Sequence, residues 1–288
     1  MSPLLEVSEL VKTYPVKRNL LGRVRERTTV TDHVSFTVER GETLGIVGES
    51  GAGKSTVGRL VLRLIEPDSG SVAFEGRDVL ALSKKELRAF RQRAQMIFQD
   101  PFSSLDPHMT IREAVGEPLT IHRGLKGSER DAAVTALLGR VGLRVDQLDK
   151  YPREFSGGQL QRIAIARALA TEPDFIVCDE PVAALDVSIQ AQVLNLLIDL
   201  QRERGLAYVF VSHDLSLVRF LAHRVVVMQK GVIVETGPTE QVFTDPQHPY
   251  TRKLLEAIPD PRAHFLARRA EVLAGKAVAA TAGPAKES

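Results

Sequence analysis

Two glycine loops and one pair of adjacent carboxylates hold most of the reactive chemistry in this 288-residue chain. The first loop, GESGAGKST over residues 48–56, fits the spacing G-x-x-x-x-G-K-[ST] from Gly48 to Ser55. Glycines at 48, 51 and 53 let the backbone curl so that successive N–H groups face inward, and a helix start just beyond adds positive potential. Phosphate oxygens suit such a cradle. Lys54 adds a point charge for the β- and γ-phosphates of a nucleotide, and Ser55 a hydroxyl for Mg2+. The candidate nucleotide site is therefore Gly48, Glu49, Ser50, Gly51, Ala52, Gly53, Lys54, Ser55 and Thr56. The carboxylates end the run FIVCDE, 175–180. Asp179 is suited to hold Mg2+ through water, and Glu180 to polarise an attacking water as general base. The second loop, FSGGQ at 155–159, has one hydroxyl, one amide and nothing to titrate, so it cannot do acid–base work alone.

These groups need a scaffold, and the apolar pattern predicts one. The runs 42–48, 175–179 and 208–213 are apolar on both faces, as strands of a helix-covered parallel sheet must be. The run 224–237 breaks at Lys230-Gly231 and reads as a hairpin. After Gly53, Val57, Leu60, Val61, Leu64 and Ile65 recur at helical spacing until Pro67 stops the run. A second helical pattern fills 190–205 and ends on Gly205. Strand–helix alternation predicts an α/β layered fold, with the carboxylates at a strand's carboxyl end, where ligands bind in such sheets. Residues 103–158 carry helix patterns and no strong strand, so a helical insert is expected there. The basic stretch 16–27 reads as a solvated loop, with an anionic lipid or a partner as the alternative. The Ala/Gly/Pro-rich tail 274–288 is expected to be disordered.

Composition narrows the classes. A formal net charge of +2 does not argue for nucleic acid. A single cysteine, Cys178, excludes an intramolecular disulfide and a Cys-ligated zinc or iron–sulfur site within the chain; inside a strand, it reads as a small buried hydrophobe. No apolar run approaches the roughly 20 residues of a membrane helix, and the N-terminus does not read as a signal peptide. A cytoplasmic protein is expected, with other chains doing any membrane spanning.

The loop, the carboxylates, and FSGGQ just before LQRIAIARALATEPD together resemble the ATP-binding cassette (ABC) ATPase family over about residues 5–240. The resemblance implies a P-loop NTPase (RecA-like) core with an antiparallel β subdomain and an inserted α-helical subdomain, spanning 1–245, followed by an extension over 246–288. It implies ATP and Mg2+ as cofactors. Tyr14 matches the aromatic that stacks on adenine. Gln99, in IFQDP, matches the glutamine that reaches Mg2+ and senses the transmembrane partner. Ser156, Gly157, Gly158 and Gln159 match the signature that reads a partner subunit's ATP, with Phe155 where Leu is commoner. Asp186 matches the loop that crosses the dimer interface, and His213 the switch histidine near the γ-phosphate. Val182 and Ala183 depart from the family, which usually has Thr and Ser there. A lone Tyr, Gln or His is otherwise a packing or surface residue, so Tyr14, Gln99 and His213 draw their roles from position in this series.

HPYTRKLLEAIP at 248–259 is similar to the segment that closes the ATPase subunits of dipeptide, oligopeptide and nickel importers, and this chain resembles the cysteine-free member of their ATPase pair. His248 and Tyr250 invite a ligand reading, but packing of a helix start is expected. The implied partners are a second ABC ATPase subunit (itself or a paralogue), two transmembrane permease subunits and, indirectly, an extracytoplasmic solute-binding protein. No nucleic acid is expected, and the implied location is the cytoplasmic face of the membrane. Two rivals share the motifs. A soluble ABC ATPase of DNA ends would insert a long coiled coil between loop and signature, and no sustained heptads occur there. A translation-type ABC factor would carry two cassettes, and one phosphate loop is present. A small-molecule P-loop kinase would need neither FSGGQ nor His213.

Overall fold

The computed structural model describes residues 2–18 and 24–257, with only the backbone described for 17, 18 and 24–26. Residues 19–23 of the basic stretch 16–27, and all of the tail 274–288, lie outside the described residues. Residues 16–18 and 24–27 do not form the expected loop but extend the first two strands, whose antiparallel pairing matches Lys17 with Glu26 and Arg18 with Val24. The chain runs through β1 (Leu5–Arg18), β2 (Val24–Val38), β3 (Thr43–Val47), α1 (Lys54–Val61), β4 (Ser69–Phe74), β5 (Arg77–Asp78) and α2 (Lys84–Arg93). Next come β6 (Ala94–Ile97), α3 (Pro101–Ser104), α4 (Ile111–Arg123), α5 (Gly127–Arg140), α6 (Gly157–Leu169), β7 (Phe175–Asp179) and α7 (Val187–Arg204). Then follow β8 (Ala207–Val211), α8 (Leu215–Leu221), β9 (Arg224–Gln229), β10 (Val232–Pro238), α9 (Thr239–Thr244) and α10 (Pro249–Glu256). Two compact units result, residues 2–91 with 207–257, and residues 92–206.

The first unit holds the antiparallel sheet β2-β1-β4-β5 and the parallel strands β9-β3-β8, with β10 added antiparallel to β9. Every residue of β3 and β8 is buried, as the unbroken apolar runs require. The β9–β10 hairpin turns at Lys230 (φ 49°) and Gly231 (φ 87°); both positive angles make a primed turn, whose twist matches its strands. Phe90 of α2 meets Phe74 of β4 edge-to-face at 5.3 Å between ring centres.

The helix after the phosphate loop stops earlier than its apolar spacing predicts. It ends at Val61; Arg63 turns left-handed (φ 48°), and Leu64 is exposed. Arg63 N–H donates to Leu60 O at 2.9 Å and Leu64 N–H to Arg59 O at 2.9 Å, the two bonds of a Schellman stop. A left-handed arginine costs roughly 1–2 kcal/mol. The same side chain makes up for it by donating to Val79 O at 3.1 Å, Leu82 O at 2.9 Å and Glu66 Oε1 at 2.9 Å.

In the second unit β6 and β7 pair in parallel, and the Arg93–Asp174 ion pair at 2.5 Å joins the starts of their runs. Helices α4, α5 and α6 pack on one another through Ile111, Val115, Leu119, Val134, Leu138 and Ile163, all buried. Thr110 caps α4 with Glu113 in a reciprocal capping box, and the Thr110 hydrogen bonds hold the Glu113 carboxyl below the usual range. These helices occupy much of the interval where a helical insert is expected.

Gly45 sets the spacing between β3 and α8. A Cβ there would lie 2.4 Å from Val218 Cγ1 and 3.1 Å from Ala222 Cβ. Gly45→Ala is expected to lower the unfolding free energy by about 1–3 kcal/mol through overpacking, read in a urea titration. An unchanged midpoint would mean that α8 can shift freely.

Candidate functional site

The phosphate loop sits between β3 and α1 on a floor of backbone oxygens. A Cβ at Gly53 (φ 98°) would lie 2.3 Å from Val30 O of β2, and one at Gly48 would lie 2.2 Å from Met228 O of β9. Neither position admits any other residue without moving a strand. Gly51 (φ 81°) has nothing within 4 Å of its would-be Cβ, so that corner of the loop is open. Three bonds fix the rest. Gly231 N–H, from the β9–β10 turn, donates to Ala52 O at 3.1 Å; Ala52 N–H donates to Glu49 O at 3.2 Å; and Glu49 N–H donates to Tyr250 Oη at 3.1 Å. Lys54 is buried and curls back, with its ammonium 2.8 Å from Gly48 O and 2.9 Å from Glu49 O. The first helical bond, Val57 N–H to Gly53 O at 3.0 Å, marks where α1 begins beneath Ser55 and Thr56.

The same unit carries Tyr14 and His213. Tyr14 lies on β1 opposite Thr28, is 39% exposed, and has the Lys12 ammonium 5.7 Å from its ring centre. His213 is exposed in the short link between β8 and α8, whose start Asp214 caps by accepting from Ser216 and Leu217 N–H. His248 accepts the Tyr250 N–H through Nδ1 and so starts α10, which is the packing role expected of it.

In the second unit Asp179 is buried at the end of β7, and Glu180 follows in the left-handed region (φ 48°). Strained backbone of this kind gathers at functional positions. Gln99 Nε2 donates to Glu180 Oε2 at 3.1 Å, so two residues 81 apart in sequence meet. Burial pushes the Cys178 thiol up, in keeping with an inert apolar role. In the second glycine loop Ser156 is the N-cap of α6. Its Oγ donates to Gln159 Oε1 at 3.2 Å and accepts from Gln159 N–H at 3.4 Å, while Ser156 N–H donates to Gln159 Oε1 at 3.0 Å. Gly158 is dictated by packing, since a Cβ there would lie 2.4 Å from Ile189 Cγ2 of α7; Gly157 would meet only Leu185 Cδ2 at an ordinary 3.8 Å.

Asp186 is exposed at the N-cap of α7. The turn before it is held by a residue that motif reading missed. Gln190 Nε2 donates to Val182 O and to Leu185 O, each at 3.0 Å. Ala183 N–H to Glu180 O and Leu185 N–H to Val182 O, both 3.2 Å, complete the turn. With Thr and Ser replaced by Val182 and Ala183, an amide eight residues on supplies side-chain support. Tyr250, expected to pack at a helix start, also reaches the loop through its hydroxyl, a contact with backbone 201 residues away that no local pattern announces. The second unit also has a cavity of about 490 Å³ among α3, α4 and α6, lined by Ser103, Asp106, Met109, Glu117 and Arg167, with Glu117 and Arg167 paired at 2.9 Å.

Comparison with known proteins adds independent findings. The family profile described as ABC transporter matches residues 31–183, and the one described as Oligopeptide/dipeptide transporter, C-terminal region, matches residues 234–285. The chain is similar to the glutathione import ATP-binding protein GsiA of Escherichia coli O6:H1, with 53% identity over 257 residues, covering 89% of this chain and 41% of that protein. It thus spans under half the length of the curated relatives it matches. A similar solved structure is the dimeric post-hydrolysis state of the ATP-binding cassette MJ0796 bound to ADP and Pi, at 31% identity and TM-score 0.73, covering 82% of this chain and 98% of that one. Another is cbiO1 from Clostridium perfringens, part of the ABC transporter complex cbiONQ, at 27% identity and TM-score 0.71, covering 85% and 92%.

Gln190→Met keeps side-chain length and removes both donors. Hydrogen exchange at the Ala183 and Leu185 amides is expected to speed up about three- to tenfold, the worth of one or two ordinary hydrogen bonds. Equal protection in the variant would show that the turn holds without the amide.

Proposed function

The chain belongs to the ABC transporter family, and on that premise we propose that it is the ATP-hydrolysing subunit of an importer of short peptides. The observation that carries the nucleotide reading is the loop 48–53, pinned so closely on Val30 O and Met228 O that only glycine fits at two of its positions. The match of residues 234–285 to the C-terminal region of oligopeptide/dipeptide transporters supports the cargo class, as does the likeness to a glutathione import protein, whose named substrate is a tripeptide.

In this reading the loop's N–H groups and the start of α1 bind the phosphates of ATP. Lys54 leaves the Gly48 and Glu49 carbonyls to meet the β- and γ-phosphates. Tyr14 offers its exposed ring to adenine. The oxygen donors proposed for Mg2+ are the Ser55 hydroxyl, the Gln99 amide and the Asp179 carboxylate through water, a hard all-oxygen set that suits this ion. Bound there, Mg2+ would neutralise charge on the phosphate oxygens. Glu180, oriented by Gln99, takes the proton from the attacking water, and His213 contacts the γ-phosphate. Ser156, Gly157, Gly158 and Gln159 face the nucleotide of a second ATPase subunit, with Asp186 at the shared interface. Ser156 must then turn its hydroxyl from Gln159 toward the phosphate, while its backbone cap stays in place.

Among the described residues no helix is long and apolar enough to cross a membrane. The proposed site of work, supported by the family and by the match of residues 234–285, is the cytoplasmic face of the membrane, on permease subunits fed by an extracytoplasmic solute-binding protein. The cavity lined by Ser103, Asp106, Met109, Glu117 and Arg167 is the contact we assign to the permease, because it opens among the helices that we propose carry the motion to the membrane subunits.

Glu180→Gln is expected to keep ATP binding and to lose steady-state hydrolysis by at least about 100-fold, as for loss of a general base. Expressed in cells in place of the native chain, it should also abolish uptake of a labelled tripeptide. Hydrolysis near the parent rate would remove Glu180 from its role, and tripeptide uptake in cells lacking the chain altogether would sink the cargo assignment. Ser156→Arg puts bulk and charge into the proposed sandwich. It should leave nucleotide binding by the monomer intact and prevent ATP-driven dimerisation, measured by light scattering; dimers that still form on ATP addition would refute the arrangement.

A further inference from the structure

The C-terminal helix brings to the phosphate loop a group that the catalytic roles above do not use. Tyr250 is 7% exposed, and its hydroxyl accepts the Glu49 N–H at 3.1 Å from 201 residues away in sequence. The surrounding segment is built to hold that oxygen. Glu235 on β10 accepts the N–H groups of Gln247 at 2.8 Å and His248 at 3.0 Å. His248 Nδ1 accepts the Tyr250 N–H at 3.2 Å, and Pro249 fixes the first helical position. Arg252 donates to Pro246 O at 2.9 Å and to Gln247 O at 3.2 Å, closing the turn that leads into α10. Burial pushes the phenol pKa up, so the hydroxyl is neutral across the physiological range.

The decisive point is which peptide plane Tyr250 grips. The Glu49 N–H and the Gly48 C=O belong to one rigid amide. Tyr250 holds its N–H end, and the Lys54 ammonium, 2.8 Å away, holds its C=O end. When Lys54 turns to phosphate it gives up the carbonyl end. The tyrosine then becomes the bond that keeps this plane from rotating, at a glycine whose backbone is otherwise permissive (φ 151°). A preorganised loop binds its ligand more tightly because less ordering remains to be done on binding.

We propose that Tyr250 is a positioning residue for nucleotide binding: the segment 246–252 braces the Gly48–Glu49 peptide of the phosphate loop and thereby sets the affinity for adenine nucleotide. The proposal rests on the reading of residues 48–56 as the nucleotide site. It gives the oligopeptide/dipeptide-type C-terminal region a direct hold on the ATP-binding loop.

The test uses the full chain, with Tyr250→Phe to delete the hydroxyl alone and Arg252→Ala to loosen the same segment without touching the loop. Calorimetric titration with Mg-ADP should give a Kd about three- to tenfold weaker for Tyr250→Phe, the range for one hydrogen bond. Arg252→Ala loosens the brace but keeps the hydroxyl, so it should weaken Kd by clearly less than Tyr250→Phe does. In steady-state hydrolysis the Tyr250→Phe loss should fall on KM rather than on kcat. A purely structural role would lower the unfolding midpoint and leave Kd unchanged, and that result overturns the inference. Equal weakening in both variants overturns it too, by assigning the effect to helix docking instead of the hydroxyl. If the parent chain itself binds no Mg-ADP, the nucleotide-site reading fails and takes the inference with it.

Discussion

Two carbonyl oxygens, Val30 O and Met228 O, lie so close beneath the phosphate loop that a single added carbon at Gly53 or Gly48 would collide with them. Much of the first unit can be understood as a way of holding that floor still. β9 runs parallel to β3 in a register that pairs Val227 with Val47, so the strand carrying Met228 reaches its position at the loop's first glycine. The primed turn at Lys230-Gly231 then returns a backbone N–H to Ala52 O, and Gly231 O accepts from Asp32 N–H, which joins the turn to β2. The floor beneath the loop is thus held by backbone hydrogen bonds and steric contact.

The second unit solves a different problem: presenting charge at the end of a buried strand. Asp179 is buried and Glu180 is not, and the change in exposure coincides with the left-handed turn at Glu180. The bonds from Ala183, Leu185 and Gln190 close a compact loop directly behind it. Those bonds over-determine the chain where the backbone is least relaxed, the condition under which strain persists. Gly158 follows the same economy of space, because α6 and α7 approach too closely for any side chain there.

The fold was largely legible in the sequence, for reasons that differ by element. β3, β7 and β8 were readable because strands buried on both faces leave uninterrupted apolar runs. The hairpin was readable because only a few residues tolerate two consecutive positive φ angles. The α1 terminus was misjudged because periodicity records which residues are apolar, not where the backbone reverses. Leu64 keeps the spacing, but Arg63 turns the chain and leaves Leu64 exposed. Within the site, the loop and carboxylates announced themselves through motif spacing. Gln190 did not, since a side chain that bonds to backbone carries no compositional mark, and Tyr250 was readable only as packing at a helix start, since the backbone it bonds is unknown until the chain is folded. The intramolecular use of Ser156 was hidden for a related reason: the same S-x-x-Q spacing serves as helix cap and as ligand contact, and sequence does not say which bond is made.

Arg63 couples parts of the first unit mechanically. It ends an eight-residue helix that begins at the phosphate loop, and its guanidinium grips Val79 O and Leu82 O, next to the β4–β5 ribbon. A helix that short behaves as a rod roughly 12 Å long, stiff on the scale of thermal motion. The glycine loop and the β4–β5 ribbon are thus joined by one short stiff strut, with Arg63 as its bolt.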